Sequence, residues 1–184
     1  MTLFVFENTD TPRLNKLFTL LDVDVMAAPR AWLGVVLALI IGVVVSLIAN
    51  LVGGLGAQVL VGFVFGLMIY AAFFVHGLGH IISSRVVNAP MQFLILTTTV
   101  PITRYDDADE ASIPSRVHVG RSLGGPAANL VLAVVGFVLY ALVAHSPFFL
   151  FLGMQNTVFV VMLLLPIPTL DGAVIWREVR HWRS

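Results

Sequence analysis

The sequence contains no cysteine and few charges. Lack of cysteine excludes a disulfide framework, a cysteine-ligated zinc site and a thiol nucleophile. Charged residues make up 11% of the 184 residues, whereas a typical soluble domain has about 25%. The ten basic residues are balanced by ten acidic ones, so no positive surplus is available to neutralise nucleic-acid phosphates. These absences exclude a soluble domain and a nucleic-acid-binding protein, and they indicate an integral membrane protein.

Hydrophobic residues are abundant instead, at 59% of the chain with a mean hydropathy of +0.98. No charged residue occurs in 31–84 or in 122–170. A membrane-spanning helix needs about 20 apolar residues, so each stretch is long enough for a hairpin of two helices. The glycines of 53–56 and the proline of 145–147 mark the two turns. The predicted spans are 31–52, 58–84, 122–144 and 148–165.

The basic residues predict how this membrane domain, residues 31–184, is oriented. With four crossings, the segment before the first span, the loop between the second and third, and the C-terminal tail face one side. All ten basic residues lie in these three segments: Arg13, Lys16, Arg30, Arg85, Arg104, Arg116, Arg121, Arg177, Arg180 and Arg183. The positive-inside rule therefore predicts a multi-pass protein with both termini and the central loop in the cytoplasm.

Two segments outside the spans have their own patterns. Residues 1–30 are predicted to be a cytoplasmic segment with an amphipathic helix on the membrane surface, because Leu14, Leu17, Phe18 and Leu21 follow the spacing of one helix face. The stretch 91–105 is rich in Leu, Ile, Val and Thr, which predicts one or two short strands. The acidic run 106–110 that follows predicts a solvated loop.

Ligand-capable side chains inside an apolar span are costly and therefore indicate function. His76 and His80 are four residues apart in the second span, so both imidazoles project from one helix face. Asp171 follows the fourth span, whose end the prolines of 164–170 interrupt. Because both spans leave the membrane on the same side, the three side chains lie at one level. Two imidazoles and a carboxylate are a ligand set for zinc with a fourth position open.

Three motifs, in order along the chain, resemble the intramembrane site-2 metalloproteases, peptidase family M50. HGLGH at 76–80 is similar to their HExxH motif, GPAAN at 125–129 to their GPxxN element, and LLPIPTLDG at 164–172 to their LLPIPPLDG segment. The resemblance covers residues 70–175. It implies an all-α polytopic membrane fold with a three-helix core, short β segments on the cytoplasmic side, and His76, His80 and Asp171 as zinc ligands. It also implies that Gly125 and Asn129 pack beside the site or guide substrate.

The chain departs from this family at the residue that matters most for peptidase chemistry. The glutamate of HExxH is the general base, and Gly77 stands in its place. The family's asparagine ahead of LLPIP is replaced by Leu163, with Asn156 two turns earlier, and the proline before LDG is Thr169. Retention of the ligands without the base is the pattern of a pseudo-protease, in which no residue is assigned as catalytic.

Three functions remain open at this point. The first is an inactive homologue that serves as a binding or assembly subunit of a membrane complex, its partners being other membrane proteins. The second is an active zinc endopeptidase that cleaves transmembrane peptides with a substitute base. The third is a subunit in which His76 or His80 ligates haem or chlorophyll, with Gly77 and Gly79 giving a flat macrocycle access to the backbone. In all three the lipid bilayer surrounds the helices.

Overall fold

The computed structural model describes residues 14–105 and 112–181, which form five helices and a four-stranded sheet. The elements are β1 (Asn15–Leu20), β2 (Val23–Ala27), α1 (Trp32–Ala49), α2 (Leu55–Val86), β3 (Phe93–Leu96), β4 (Ile102–Arg104), α3 (Ser115–Leu142), α4 (Pro147–Leu163) and α5 (Asp171–His181). The predicted helical architecture with a short β segment is confirmed. The predicted acidic loop, 106–110, lies outside the described residues.

The long helices form two hairpins, α1 with α2 and α3 with α4, and α2 also packs against α3. Glycines set how closely the helices approach. A Cβ atom at Gly42 would overlap the backbone of Gly62 and Gly66, and one at Gly136 would overlap the backbone of Gly153. Small residues at crossings are typical of helices that associate in a bilayer, where close van der Waals packing holds them together.

A turn lies near each predicted position, although the first occupies residues 50–54, so that Gly56 belongs to α2. After α1, Asn50 adopts a left-handed conformation (φ 48°), and Gly54 has a φ of 84° just before α2 begins. The second turn ends at Ser146, whose hydroxyl accepts a hydrogen bond from the amide of Phe148. Pro147 occupies the first position of α4, where its missing N–H costs no hydrogen bond.

Three helices in the described part of the chain are long and apolar enough to cross a membrane: α1, α2 and α3. α2 begins at residue 55 and α3 at residue 115, both earlier than the predicted spans. α4 is apolar but has 17 residues, about 25 Å of helix, whereas the hydrocarbon core is about 30 Å thick. Three candidate spans are therefore established, and the fourth crossing stays a prediction.

The sheet has the order β1-β2-β3-β4, in which β2 and β3 are parallel and the outer pairs are antiparallel. Parallel neighbours need a crossover connection, and here the α1–α2 hairpin provides it. Both ends of that hairpin therefore return to the sheet. The inner face buries Val23, Val25 and Leu94 against Ile81 near the C-terminal end of α2.

The predicted amphipathic helix near the N-terminus is wrong. Residues 15–20 form β1, and Leu21 and Asp22 both have positive φ values in a tight turn to β2. The register shifts between Lys16 and Phe18, so the apolar residues at 17 and 18 are both exposed, as in a β-bulge. The helix-like spacing of the apolar residues was misleading because the strand pairing that forms here depends on distant residues. β2 is a central strand with Val23 and Val25 buried, and it pairs with β3, far away in the sequence.

Candidate metal centre

His76 and His80 lie one turn apart on α2 and are almost fully buried, with 4% and 3% of their surface exposed. The Nε2 atoms of the two imidazoles are 3.0 Å apart. The rings face α3, because a helical spacing of four residues places both on the same side. The histidine pair predicted from the sequence is therefore brought together.

Asp171, the first residue of α5, completes the group. One carboxylate oxygen is 3.3 Å from Nε2 of His76 and the other is 3.3 Å from Nε2 of His80. One candidate ligand atom from each of these residues lies within 4.8 Å of the others. Donors from two helices thus converge on a single point, although His80 and Asp171 are 91 residues apart in sequence.

The irregular segment between α4 and α5 places this carboxylate. Pro166 and Pro168 prevent α4 from continuing, and Thr169 adopts a φ of 80° as the chain turns into α5. The indole N–H of Trp176 donates a hydrogen bond to the carbonyl oxygen of Leu164, at 3.0 Å. α5 is thereby fixed beneath the end of α4.

The Nδ1 atoms of both imidazoles have oxygen partners. Nδ1–H of His76 donates to Oδ1 of Asn129 at 2.8 Å, and Nδ1–H of His80 donates to the carbonyl oxygen of Arg121 at 2.9 Å. Neither oxygen carries a hydrogen, so each Nδ1 is the protonated nitrogen. In the neutral imidazoles, both Nε2 lone pairs therefore point toward the carboxylate of Asp171.

Gly125 of α3 gives the imidazoles their space, and Gly79 of α2 lets the two helices approach closely. A Cβ atom at Gly125 would overlap the ring of His76 and would lie 2.5 Å from Nε2 of His80. A Cβ atom at Gly79 would overlap the carbonyl group of Gly124, so α2 and α3 cross in backbone contact. Gly125 thus lies against the candidate donors.

Gly77 faces away from the donors. A Cβ atom on this residue would lie 2.7 Å from Cδ2 of Leu94, which is fully buried in the sheet. In the described residues, Asp171 is the one carboxylate that borders the cavity in front of the donors. No described Asp or Glu therefore takes the place of the missing glutamate in the cavity wall.

The donors open onto a cavity of about 700 Å³. Its walls come from the β4 region, from the first turns of α3 and from the start of α5. Residues that line it include Ile102, Thr103, Tyr105, His118, Arg121 and Arg177. β4 ends the described sheet and lies beside this cavity.

The carboxylate of Asp171 is ionised at neutral pH. Burial alone would raise the pKa of Asp171, but in the metal-free site a further proton on Nε2 charges His80 and lets the imidazoles donate to the carboxylate; this charge and these hydrogen bonds outweigh burial and lower the pKa from 3.8 to about 2. An anionic oxygen is the form that a metal ion binds.

Arg121 and Asn156 contribute to the site in ways that the sequence pattern did not reveal. Arg121 is buried, donates from Nε to the carbonyl oxygen of Ala89 at 3.0 Å, and lies over the ring of Tyr105 at 3.9 Å. Asn156 is fully buried and contacts Asn129. An amide in an apolar helix was the available signal for Asn156, but its partner lies on another helix.

No protein-family profile matches the sequence, and no curated protein matches it. Among solved structures, the Site-2 Protease from Methanocaldococcus jannaschii has a similar fold, with a TM-score of 0.60 at 15% sequence identity. The match covers 93% of this chain and 73% of that protein. At this identity the likeness concerns the fold. The chain therefore has a site-2-protease-like fold with helices able to span a membrane, and a group of two histidines and an aspartate at the sheet end of its helices.

Proposed function

We propose that His76, His80 and Asp171 bind a zinc ion. The observation that carries this proposal is the convergence of two Nε2 lone pairs and a carboxylate, with both Nδ1 atoms already engaged. Neutral nitrogen lone pairs 3.0 Å apart repel each other, and a cation between them removes that cost. Two nitrogens and one oxygen fit zinc, which when bound supplies a Lewis acid that polarises a carbonyl oxygen.

In this proposal the chain is an M50-like homologue without peptidase activity. Peptide hydrolysis needs a group that takes a proton from the attacking water, and loss of such a base costs about 10²–10⁴-fold in rate. Gly77 provides none, and its backbone packs against Leu94 instead of facing the cavity. The fold match supports the family relationship, and the packing at Gly77 supports the loss of activity.

The proposed role is binding of an extended segment of another membrane protein, as a subunit or assembly module of a complex. β4 lies at the edge of the described sheet and beside the cavity, so a peptide could add to it by main-chain hydrogen bonds. Ile102 and Thr103 of β4 line the cavity opposite Asp171 and the imidazoles. A segment held along β4 would therefore pass the proposed zinc site.

The proposed orientation places this end of the molecule in the cytoplasm. The sheet, the N-terminal turns of α3 and all of α5 lie at one end, and the turns at 50–54 and 143–146 lie at the other. Every basic residue in the described ranges belongs to the sheet end: Lys16, Arg30, Arg85, Arg104, Arg116, Arg121, Arg177 and Arg180. The positive-inside rule assigns such an end to the cytoplasm.

An active endopeptidase with a substitute base is the second candidate. One observation favours it, since His118 lies in the wall of the same cavity and an imidazole is a good general base near neutral pH.

The haem or chlorophyll alternative has less support. An axial histidine needs an open plane in front of Nε2, whereas here each Nε2 faces the other imidazole and the carboxylate of Asp171.

A cleavage assay distinguishes the inactive homologue from the active endopeptidase. The detergent-purified chain, supplied with zinc, is incubated with a single-span model substrate, and its product is compared with that of a His80→Ala variant. We expect equal, background amounts of product from both. Cleavage by the wild type that a chelator stops and that His80→Ala lacks would contradict the inactive homologue and establish the endopeptidase. His118→Ala would then test the substitute base.

A further inference from the structure

Two buried amides form a polar connection between α3 and α4, at the level of the histidines. Asn129 and Asn156 have no exposed surface, and both belong to helices whose other residues at this level are mainly apolar. Burial of an amide without hydrogen bonds is costly in such surroundings. The side chains therefore need the partners that they have.

The hydrogen bonds of these amides form a chain in which each Nδ2 donates and each Oδ1 accepts. Nδ2 of Asn156 donates to the carbonyl oxygen of Leu152 at 2.9 Å, which leaves Oδ1 of Asn156 facing Asn129. Nδ2 of Asn129 donates to that Oδ1 at 2.8 Å and to the carbonyl oxygen of Ala72 at 3.3 Å. Oδ1 of Asn129 is thus left to accept the Nδ1–H of His76.

We propose that Asn156 is a positioning residue for His76. It provides the shorter of the two hydrogen bonds that fix the amide of Asn129 with the oxygen toward the imidazole, the longer one going to the carbonyl oxygen of Ala72. This orientation selects the Nδ1–H tautomer of His76. The Nε2 lone pair then points toward Asp171. Where it concerns zinc, the proposal rests on the function proposed above, but the tautomer of His76 does not depend on a metal ion.

The two imidazoles differ in how they are held. His80 donates to a backbone carbonyl, that of Arg121, whose orientation the helix determines. His76 donates to a side-chain amide, which could rotate by half a turn and present Nδ2 instead. Only His76 therefore needs a second residue to set the polarity of its partner, and His80 serves as an internal reference.

Close contact between α3 and α4 is what brings Asn156 within reach. The backbones of Gly136 and Gly153 touch, since a Cβ atom on the former would overlap the latter. Gly153 lies one turn before Asn156. The family position for an asparagine in this region, residue 163, holds Leu163, so Asn156 acts from a different turn of the helix.

The test replaces Asn156 and reads the tautomer of each histidine. Asn156→Leu keeps the branched shape at Cγ, although it is larger, and removes both polar atoms, whereas Asn156→Asp keeps an acceptor oxygen for Asn129. Thr157→Val is the matched control, because that hydroxyl donates to Gly153 within its own helix. Ring ¹⁵N chemical shifts of the metal-free chain in detergent report the tautomers, and competition with a chelating dye reports zinc affinity.

We expect the wild type, Asn156→Asp and Thr157→Val to show the Nδ1–H tautomer at His76. Asn156→Leu should show a mixture at His76 with His80 unchanged, and zinc affinity reduced about tenfold, as for other residues that orient a metal ligand. An unchanged His76 tautomer in Asn156→Leu overturns the proposal. If Asn156→Leu does not fold, Asn156→Ser decides in its place, since a serine hydroxyl bonds its own helix and stops short of Asn129.

If the wild-type protein binds no zinc, the proposed metal site is contradicted but the proposed role of Asn156 is not. The ring ¹⁵N chemical shifts then still test that role without metal. A mixture of tautomers at His76 in Asn156→Leu, compared with a single tautomer in the wild type, supports it. Wild-type zinc affinity in Asn156→Leu together with an unaltered tautomer contradicts the positioning role while leaving the zinc site intact. The two failures are therefore distinguishable.

Discussion

Gly77 is in contact with Leu94, not with the cavity: a Cβ atom on the glycine would lie 2.7 Å from Cδ2 of the leucine. Because Leu94 is fully buried among Val23, Val25 and Ile81, the sheet closes the space that a longer side chain at residue 77 would enter. The position where the family has its general base is therefore packed directly against the sheet. Restoring the base requires a change in the sheet as well.

Gly77→Glu alone should destabilise the protein without producing peptidase activity. The added side chain overpacks the core next to Leu94, which costs about 1–3 kcal/mol. In Gly77→Glu/Leu94→Ala the second change makes room, so the double variant should lose less melting temperature than the sum of the losses of the two single variants. Thermal unfolding in detergent measures both. A single variant as stable as the wild type and able to cleave a substrate would contradict the packing assigned to Gly77.

Gly125→Ala should abolish strong zinc binding while the helices remain folded. The new methyl group overlaps the imidazole of His76 and approaches Nε2 of His80, so the donors cannot keep their positions. We expect affinity to fall at least tenfold, as when a ligand loses its orientation. Gly53→Ala is the control, because nothing lies within 4 Å of its Cβ position in the far turn. Equal zinc affinity in the two variants would contradict the site.

Glu178 should stabilise the contact of α5 with α3 in a pH-dependent way. Burial alone would raise the pKa of Glu178, but hydrogen bonds from Arg177 and Ser115 outweigh burial and place the pKa below its usual 4.5. A lowered pKa in the folded state contributes stability above pH 4.5 that is lost as the pH falls through the lowered value. Glu178→Gln should therefore lower the melting temperature at pH 7 and have progressively less effect as the pH falls below 4.5.

The control for this experiment is Asp22→Asn. Asp22 forms an ion pair with Arg85 but is 95% exposed, so water screens the pair and its removal should change stability little at either pH. Equal melting temperatures of Glu178→Gln and the wild type at pH 7 would contradict the stabilising role of Glu178.

Single introduced cysteines can establish the topology, because the native chain has none. Gly53, His145 and Pro90 are exposed and lie respectively in the two far turns and in the loop between α2 and β3. With four crossings, a membrane-impermeant maleimide should label Gly53→Cys and His145→Cys from outside the cell, and Pro90→Cys only after lysis. Labelling of His145→Cys from the same side as Pro90→Cys would show that α3 and α4 do not form a crossing pair.

The sequence was sufficient to predict that His76, His80 and Asp171 come together, and at which end of the helices they meet. A spacing of four residues between His76 and His80 fixes a shared helix face, and the proline-rich end of α4 places Asp171 at the same end of the molecule. Both interhelical turns followed from local chemistry as well, since glycine or proline occurs at each. These features depend on neighbours in sequence.

Features that depend on distant contacts were not predictable in the same way. β1 carries a helix-like spacing of apolar residues, and its strand pairing depends on β2, which pairs in turn with β3 across the α1–α2 hairpin. Asn156 meets Asn129 across 27 residues, and the direction of Gly77 is meaningful only once Leu94 is in place. Local periodicity contains no information about these partners.

The most direct test of this account is the zinc content of the detergent-purified chain after incubation with zinc and removal of the excess. We expect about one zinc ion per wild-type chain, and much less in His80→Ala and Asp171→Asn, which each remove one donor while His145→Ala, a change in the far turn, keeps the full content. Absence of zinc from the wild type, or equal zinc in all four proteins, would contradict the proposed metal centre.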